Sequence, residues 1–304
     1  MRRKKTMNYK ILENEPMSGH TTFRVGGPAD IYIIPQSIEG LKEAIKDYTF
    51  GESKPLIIGN GSNLLVSDKG IRGVVIEIGS QLSQITLIDN DDGSGLECKK
   101  IYAEAGAKLS KLAREAYENG LSGAEFASGI PGTVGGAVFM NAGAYGGEIK
   151  DIVDYVDVIC DGELKSIKGS DMGFAYRYSK AMDQDMVVVG AMFTFKKDNP
   201  EDILARMNDF NQRRRDKQPL EYPSAGSTFK RPENHFAGKL IMDSGLAGQC
   251  FGGAMVSDKH CGFIINYDNA TACDIYNLIK LVQSKVKDRF GVELETEVRL
   301  IGEF

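Results

Sequence analysis

The chain has no apolar run near the roughly 18 residues that a membrane-spanning helix needs, so no transmembrane segment is expected. Its basic start, with Arg2, Arg3, Lys4 and Lys5, leads into no apolar stretch. That excludes a secretory signal and leaves a solvated tail. Basic residues are outnumbered, 37 Lys and Arg against 42 Asp and Glu, and the net charge of −5 argues against broad nucleic-acid binding. Histidine is scarce: His20, His235 and His260 share no ligand spacing with one another or with cysteine, so no metal site is expected. The five cysteines, Cys98, Cys160, Cys250, Cys261 and Cys273, are odd in number and lack a C-x-x-C pair. Reduced, mostly buried thiols and a cytoplasmic location are the expectation. There is no G-K-[ST] phosphate loop, which disfavours an NTPase, and no G-x-G-x-x-G in a βαβ unit, which disfavours a Rossmann dehydrogenase.

What is present is glycine in two particular places. Residues 128–147 read SGIPGTVGGAVFMNAGAYGG, with Val134, Ala137, Val138, Phe139 and Met140 set among the glycines. A solvated linker would not carry those apolar residues. Glycine lets another group reach the backbone N–H, and consecutive N–H groups form a concavity suited to phosphate. Residues 59–68, GNGSNLLVSD, have the same character and follow the short apolar run Leu56–Ile58. Two such loops point to one extended ligand with a pyrophosphate and a ring system.

The rest of the chain reads as mixed α and β structure. Strands are expected at 31–34, 56–58, 74–78, 153–159 and 187–195, with a polar turn over Asp89–Gly95. Ser37 is placed to cap a helix carrying Leu41, Ala44, Ile45 and Tyr48 on one face. A second helix uses Leu109, Leu112, Ala113, Ala116 and Tyr117 and stops at Asn119-Gly120. A third, over 198–217, turns Ile203, Leu204, Met207 and Phe210 inward, with Arg213–Arg215 near its C-terminal end. A fourth carries Ile275, Leu278, Ile279, Val282, Val286 and Phe290, is stopped by Gly291, and leads into a strand over 292–300. The polar, proline-ended stretch 196–200 marks a domain break. The domains expected are 1–80, 81–197 and 198–304.

Three polar positions invite a chemical reading beside a plain one. In the last strand, alternation sets Glu293, Glu295, Glu297 and Arg299 opposite an apolar face. Solvated charge is the simpler account, and a carboxylate facing a cleft with Arg299 beside it is the other. Ser227, after Gly226, is either a turn former or a proton donor in a tight pocket. Arg177, between Tyr176 and Tyr178, either stacks on tyrosine at the surface or aims its fork at a carboxylate.

Together these segments resemble the UDP-N-acetylenolpyruvoylglucosamine reductase family from about residue 15 onward. The marks are His20–Gly27 (HTTFRVGG), the 59–68 and 128–146 loops, Tyr176–Ser179 (YRYS), Ala225–Lys230 (AGSTFK) and Glu295–Arg299 (ETEVR), in the family's order. The resemblance implies an α+β protein: a vanillyl-alcohol-oxidase/PCMH-like FAD-binding fold of two subdomains plus a C-terminal α+β substrate-binding domain. It implies noncovalent FAD, since neither glycine loop has histidine, with NADPH as co-substrate and a small UDP-sugar as substrate. Neither nucleic acid nor membrane is implied as partner, and a monomer or weak oligomer is expected.

The family's cofactor contacts carry over to Gly59, Asn60, Gly61, Ser62, Asn63 and Leu64 in the first loop. In the second they carry over to Gly129, Ile130, Pro131, Gly132, Thr133, Gly135, Gly136, Asn141, Gly143 and Tyr145. Arg177 matches the arginine at the substrate carboxylate, and Ser227 the proton donor. Glu297 matches the glutamate beside that carboxylate, with a raised pKa expected so that it donates a hydrogen bond. Lys217, Lys230, Arg231 and Arg299 are the candidates for the diphosphate, although some family members have asparagine where Arg231 stands. The short interval from Phe195 to Ser227 resembles the form without an extra substrate-gating loop, so no gating tyrosine is assigned. Two other readings stay open at this point: an FAD oxidase of the same fold acting on a sugar or lactone, and a nucleotide-binding module without activity.

Overall fold

The computed structural model describes residues 8–51, 53–88 and 98–304; the expected tail at Arg2–Lys5 and the turn at Asp89–Gly95 lie outside them. In chain order the elements begin with β1 (Tyr9–Pro16), β2 (Pro28–Pro35), α1 (Ile38–Tyr48), β3 (Leu56–Ile58), β4 (Leu64–Val66), β5 (Ile71–Glu77), β6 (Ile85–Ile88) and β7 (Cys98–Glu104). They continue with α2 (Leu109–Glu118), β8 (Leu121–Ser122), α3 (Val134–Met140), β9 (Gly143–Ala144), β10 (Gly147–Glu148), β11 (Val153–Cys160), β12 (Glu163–Lys168) and β13 (Met186–Lys197). Then come α4 (Pro200–Lys217), α5 (Ala237–Asp243), β14 (Cys250–Phe251), β15 (Ala254–Val256), β16 (Ile264–Asn266), α6 (Ala272–Phe290) and β17 (Arg299–Ile301).

Local chemistry sets the helix ends. The Ser37 hydroxyl accepts the Gly40 N–H at 3.0 Å and starts α1. Thr271 and Asp274 form a reciprocal capping box at the start of α6, and Gly291, with φ of 69°, closes it. Helix α2 buries Leu109, Leu112, Ala113 and Ala116 on one face, as its spacing predicts.

Two units share the chain. The first takes residues 1–12, 32–60 and 74–213; the second takes 13–31, 61–73 and 214–304. An antiparallel sheet of order β12-β11-β13-β7-β6 dominates the first, with β8 also pairing β13. Helix α3 packs on β13, whose Val189, Ala191, Phe193 and Phe195 are buried. A four-stranded sheet has order β1-β2-β5-β3, with β3 and β5 parallel.

The second unit has its own core, where Ile275, Leu278, Ile279, Val282 and Val286 of α6 meet Phe23, Leu65, Phe229, Leu240, Ile264 and Val298. Strand β17 pairs in parallel with β4, Arg299 beside Leu64. The Asp68 carboxylate accepts the first N–H groups of α6, from Ala272 at 2.9 Å and Cys273 at 2.8 Å. An anion there is favoured by the positive end of the helix.

Three expectations need correction. The strand over 292–300 forms a ladder only at Arg299–Ile301, preceded by a single antiparallel bridge between Thr296 and Phe229. Leu294 and Val298 are buried and Glu293 and Glu295 exposed, so the alternation reports burial without a full ladder. In α4 only Ile203 is buried, and Leu204 is 38% exposed. The described thiols are free but not mostly buried: Cys250 and Cys273 are exposed, Cys160 is intermediate and Cys261 alone is buried. No helix among the described residues is long and apolar enough to cross a membrane, and no cluster among them is suited to a metal ion.

Candidate functional site

In the first unit the two glycine loops meet. The Asn60 side chain donates to the Pro131 carbonyl at 2.7 Å. A Cβ on Gly59 would overlap the Thr133 hydroxyl, so glycine is required for that approach. The second loop is pinned to the segment before α2. Leu109 N–H donates to Gly132 C=O at 3.0 Å, Val134 to Ala107 at 2.8 Å and Gly135 to Ala105 at 2.8 Å. Beside this junction lies a cavity of about 310 Å³, lined by Gly59, Asn60 and Thr133 from the loops and, from elsewhere, by Glu77, Gly79, Gly106, Lys108 and Lys111 among others. Sequence reasoning missed those last five. The only signal was glycine after a strand at Gly79 and at Gly106, where a Cβ would overlap the Gly79 carbonyl.

Asn141 ends α3 in the left-handed conformation (φ 43°) and is fully buried. Its amide donates to Glu148 Oε2 and to the Ala175 carbonyl, both at 2.9 Å, and its oxygen accepts the Lys150 N–H at 3.0 Å. The Ala175 end of a tight turn is thereby anchored, and Ala175 and Tyr178 exchange backbone hydrogen bonds across it. At its tip Arg177 has φ of 54°, donates to the Gly143 carbonyl at 3.2 Å, and lies 5.1 Å from the Tyr176 ring centroid. Lys150, then Asn141 and Arg177, hold the Glu148 carboxyl below its ordinary range against the opposing cost of burial. Tyr145 stacks on Phe210 with centroids 4.8 Å apart.

The second unit brings Ser227, Glu297 and the rest of the first loop together. Gly226 has φ of 77°, which favours glycine, and half-buried Ser227 follows it. Thr228 is fully buried and fixed on three sides. Its N–H donates to Gly262 C=O at 2.8 Å, its hydroxyl accepts the Ile264 N–H at 3.0 Å, and its carbonyl accepts the Glu297 N–H at 2.9 Å. Asn63 donates to the Glu297 carbonyl at 3.0 Å, and its own carbonyl accepts the Arg299 N–H at 3.0 Å. Gly61, with φ of 58°, approaches His20 so closely that a Cβ would overlap the His20 carbonyl.

The candidate diphosphate cations are spread through this unit. Lys230 pairs with Glu295 at 3.0 Å, and the Arg231 guanidinium lies 4.1 Å from the Phe236 ring centroid. Arg299 retains exposed surface, yet desolvation lowers its pKa from the usual guanidinium range. Lys217 is exposed at the end of α4.

Comparison with known proteins shows the family of the chain. Residues 29–167 match the family profile described as an FAD binding domain, and residues 218–301 match that of the UDP-N-acetylenolpyruvoylglucosamine reductase C-terminal domain. The chain is 51% identical over 298 residues to a UDP-N-acetylenolpyruvoylglucosamine reductase of Agathobacter rectalis, covering 97% of this chain and 95% of that protein. Identity to the reductase of Caldanaerobacter subterraneus subsp. tengcongensis is 50%, over 97% and 94% of the two chains. The crystal structure of the Thermus caldophilus reductase superposes with a TM-score of 0.80 at 34% identity, covering 97% of this chain and all of that one. The α+β architecture is thus an FAD-binding domain followed by a UDP-N-acetylenolpyruvoylglucosamine reductase C-terminal domain. The chain belongs to the UDP-N-acetylenolpyruvoylglucosamine reductase family and is a flavin-dependent oxidoreductase.

Proposed function

We propose that the protein reduces UDP-N-acetylglucosamine enolpyruvate to UDP-N-acetylmuramate with NADPH, a cytoplasmic step of peptidoglycan precursor synthesis. The observation that carries this reading is the pinned turn of the second unit, where one residue, Thr228, fixes both Ser227 and Glu297. The backbones of the proton donor and of the carboxyl residue are thereby held beside one buried residue, and such fixed placement is what acid catalysis draws on.

The residues present fit a noncovalent dinucleotide. Gly59, Gly79 and Gly106 line the cavity and let the chain close on itself there, since a Cβ would meet Thr133, Glu77 and the Gly79 carbonyl; Lys108 and Lys111 bring positive charge, and neither glycine loop has a histidine to form a covalent link. Residues 1–80 and 81–197 would hold FAD, and 198–304 would cover the substrate. Bound there, FAD would supply the hydride chemistry that links NADPH to the methylene carbon of the enol ether.

The chain's own residues manage the charge and the proton. Addition at the methylene carbon sends charge into the substrate carboxylate, which Arg177 receives with its fork of donors. Removing a fixed donor of that kind costs roughly 3–4 kcal/mol in comparable sites. Ser227 gives its proton to the adjacent carbon. Glu297 hydrogen-bonds the carboxylate, and Lys217, Lys230, Arg231 and Arg299 supply the positive charge for the diphosphate.

The test is an anaerobic flavin absorbance trace. The protein should be yellow, NADPH should bleach it, and the enol ether should restore the band. Recovery with oxygen alone would refute the reductase reading, and a colourless protein that takes up no FAD would refute the flavin one.

A further inference from the structure

We propose that His260 is a positioning residue for the proton-transfer step, holding the Ser227 turn through Gly262 and Thr228 by means of an acceptor nitrogen. The inference rests on the reading of Ser227 as proton donor. The path is short and continuous. Gly262 N–H donates to His260 Nδ1 at 3.1 Å, and Gly262 C=O accepts the Thr228 N–H at 2.8 Å. Thr228 is bonded directly to Ser227, whose other neighbour, Gly226, offers no side chain to fix it. Gly262 is therefore the hinge, and one face of its peptide is set by an imidazole.

The ring is itself confined. Its Cε1 lies 3.4 Å from the Cβ position of Gly238 in α5, and a Cβ on Gly262 would come within 2.9 Å of the same atom. Phe263 meets it edge to face, with centroids 5.0 Å apart. Its own turn is closed by Phe263 N–H to His260 C=O at 2.9 Å and Ser257 N–H to Phe263 C=O at 3.0 Å.

An accepting Nδ1 carries no proton, so the neutral ring holds its hydrogen on Nε2. Protonation would set two N–H groups against each other and open the link to Gly262. The surroundings resist that. Burial lowers the His260 pKa from the ordinary 6.5, its own carbonyl opposes the shift, and the positive charge of Lys217 at the end of α4 adds to it. Of the other charged neighbours, Lys239 of α5 is paired with Asp243 and Lys259 with Glu221. Asp258 contributes to raising the Cys261 thiol. A histidine used only for packing would not need an accepting Nδ1, and the two roles therefore separate experimentally.

The experiment compares wild type, His260→Asn, His260→Leu and Ser227→Ala as FAD-loaded protein, measuring kcat and KM against pH together with FAD affinity. Asparagine places an acceptor where Nδ1 stood and cannot be protonated. The wild type should lose kcat as pH falls below the ordinary histidine value. His260→Asn should keep most of the kcat and lose that acid limb. His260→Leu should lose kcat about tenfold or more at all pH values, and no more than the roughly 10²–10⁴ that acid catalysis supplies in full, with KM and FAD affinity little changed. An acid limb that persists unchanged in His260→Asn would overturn the proposal, as would a wild-type kcat in His260→Leu. If His260→Leu does not fold, the His260→Asn profile decides alone. Full activity in Ser227→Ala would overturn the proton-donor reading itself, and this inference with it. Loss in Ser227→Ala with none in His260→Leu would overturn only the inference.

Discussion

Replacing Asn141 by alanine should cost far more than an ordinary surface substitution. The side chain is fully buried and makes three hydrogen bonds, to Glu148, to the Ala175 carbonyl and from the Lys150 N–H. Each net bond is worth about 0.5–1.5 kcal/mol, and the abandoned partners carry a desolvation cost of their own. The residue also has φ of 43°, a conformation that asparagine tolerates and alanine resists by about 1 kcal/mol. The sum is roughly 3–5 kcal/mol, a large part of the ~5–15 kcal/mol that holds a typical domain. Asn141→Gly should recover about the 1 kcal/mol of backbone strain and nothing of the hydrogen bonds. Asn141→Asp should do no better than alanine, because it gives up both donated bonds and sets a second carboxylate beside Glu148. Equilibrium urea unfolding followed by circular dichroism measures all three. A loss under about 1 kcal/mol for Asn141→Ala would show that the buried network does not carry the α3 terminus.

Other perturbations address other parts of the molecule. Arg177→Lys keeps the charge but loses the planar fork, so kcat should fall by about 10²–10³ with substrate KM less affected, read by steady-state kinetics. Gly106→Ala introduces a Cβ that overlaps the Gly79 carbonyl and sits 2.6 Å from that of Leu82; loss of about 2 kcal/mol or more is expected by thermal or urea unfolding, with weaker FAD uptake. Glu148 has a folded pKa below the ordinary 4.5, so the unfolded chain binds its proton more readily. Its contribution to stability is complete above 4.5 and lost as pH falls through the lower folded value, and Glu148→Gln should flatten that part of the stability profile.

Much of the fold was legible because local chemistry and periodicity agreed. The Ser37 cap, the amphipathic face of α2 and the glycine stop of α6 needed no tertiary information. Close approach to glycine backbone was readable from composition, since apolar residues sit among the glycines, but that the two loops approach each other was not. What was not legible depends on partners far along the chain. Thr228, the residue that fixes Ser227, looks like any buried threonine until Gly262, Ile264 and Glu297 are seen around it. Lys108 and Lys111 read as the polar side of α2 and not as cavity lining. Leu204 fits the helical apolar stripe of α4 and is nevertheless exposed, because periodicity assigns a face and not its cover. The stretch 292–298 alternates as a strand does, but alternation says nothing about where a ladder partner lies.

The parallel pairing of β4 with β17 joins residues 64–66 to residues 299–301, more than two hundred positions away. During synthesis β4 emerges early and has no edge to join until the last of those residues leaves the ribosome. At the roughly 5–20 residues per second of translation, that delay is on the order of ten seconds or more. The second unit, assembled from three separated stretches, is therefore a late folder with high contact order, while much of the first can close earlier. Through that interval Leu64, Leu65 and Val66 form a short apolar edge open to the wrong neighbour, and aggregation of the nascent chain is the hazard this topology carries.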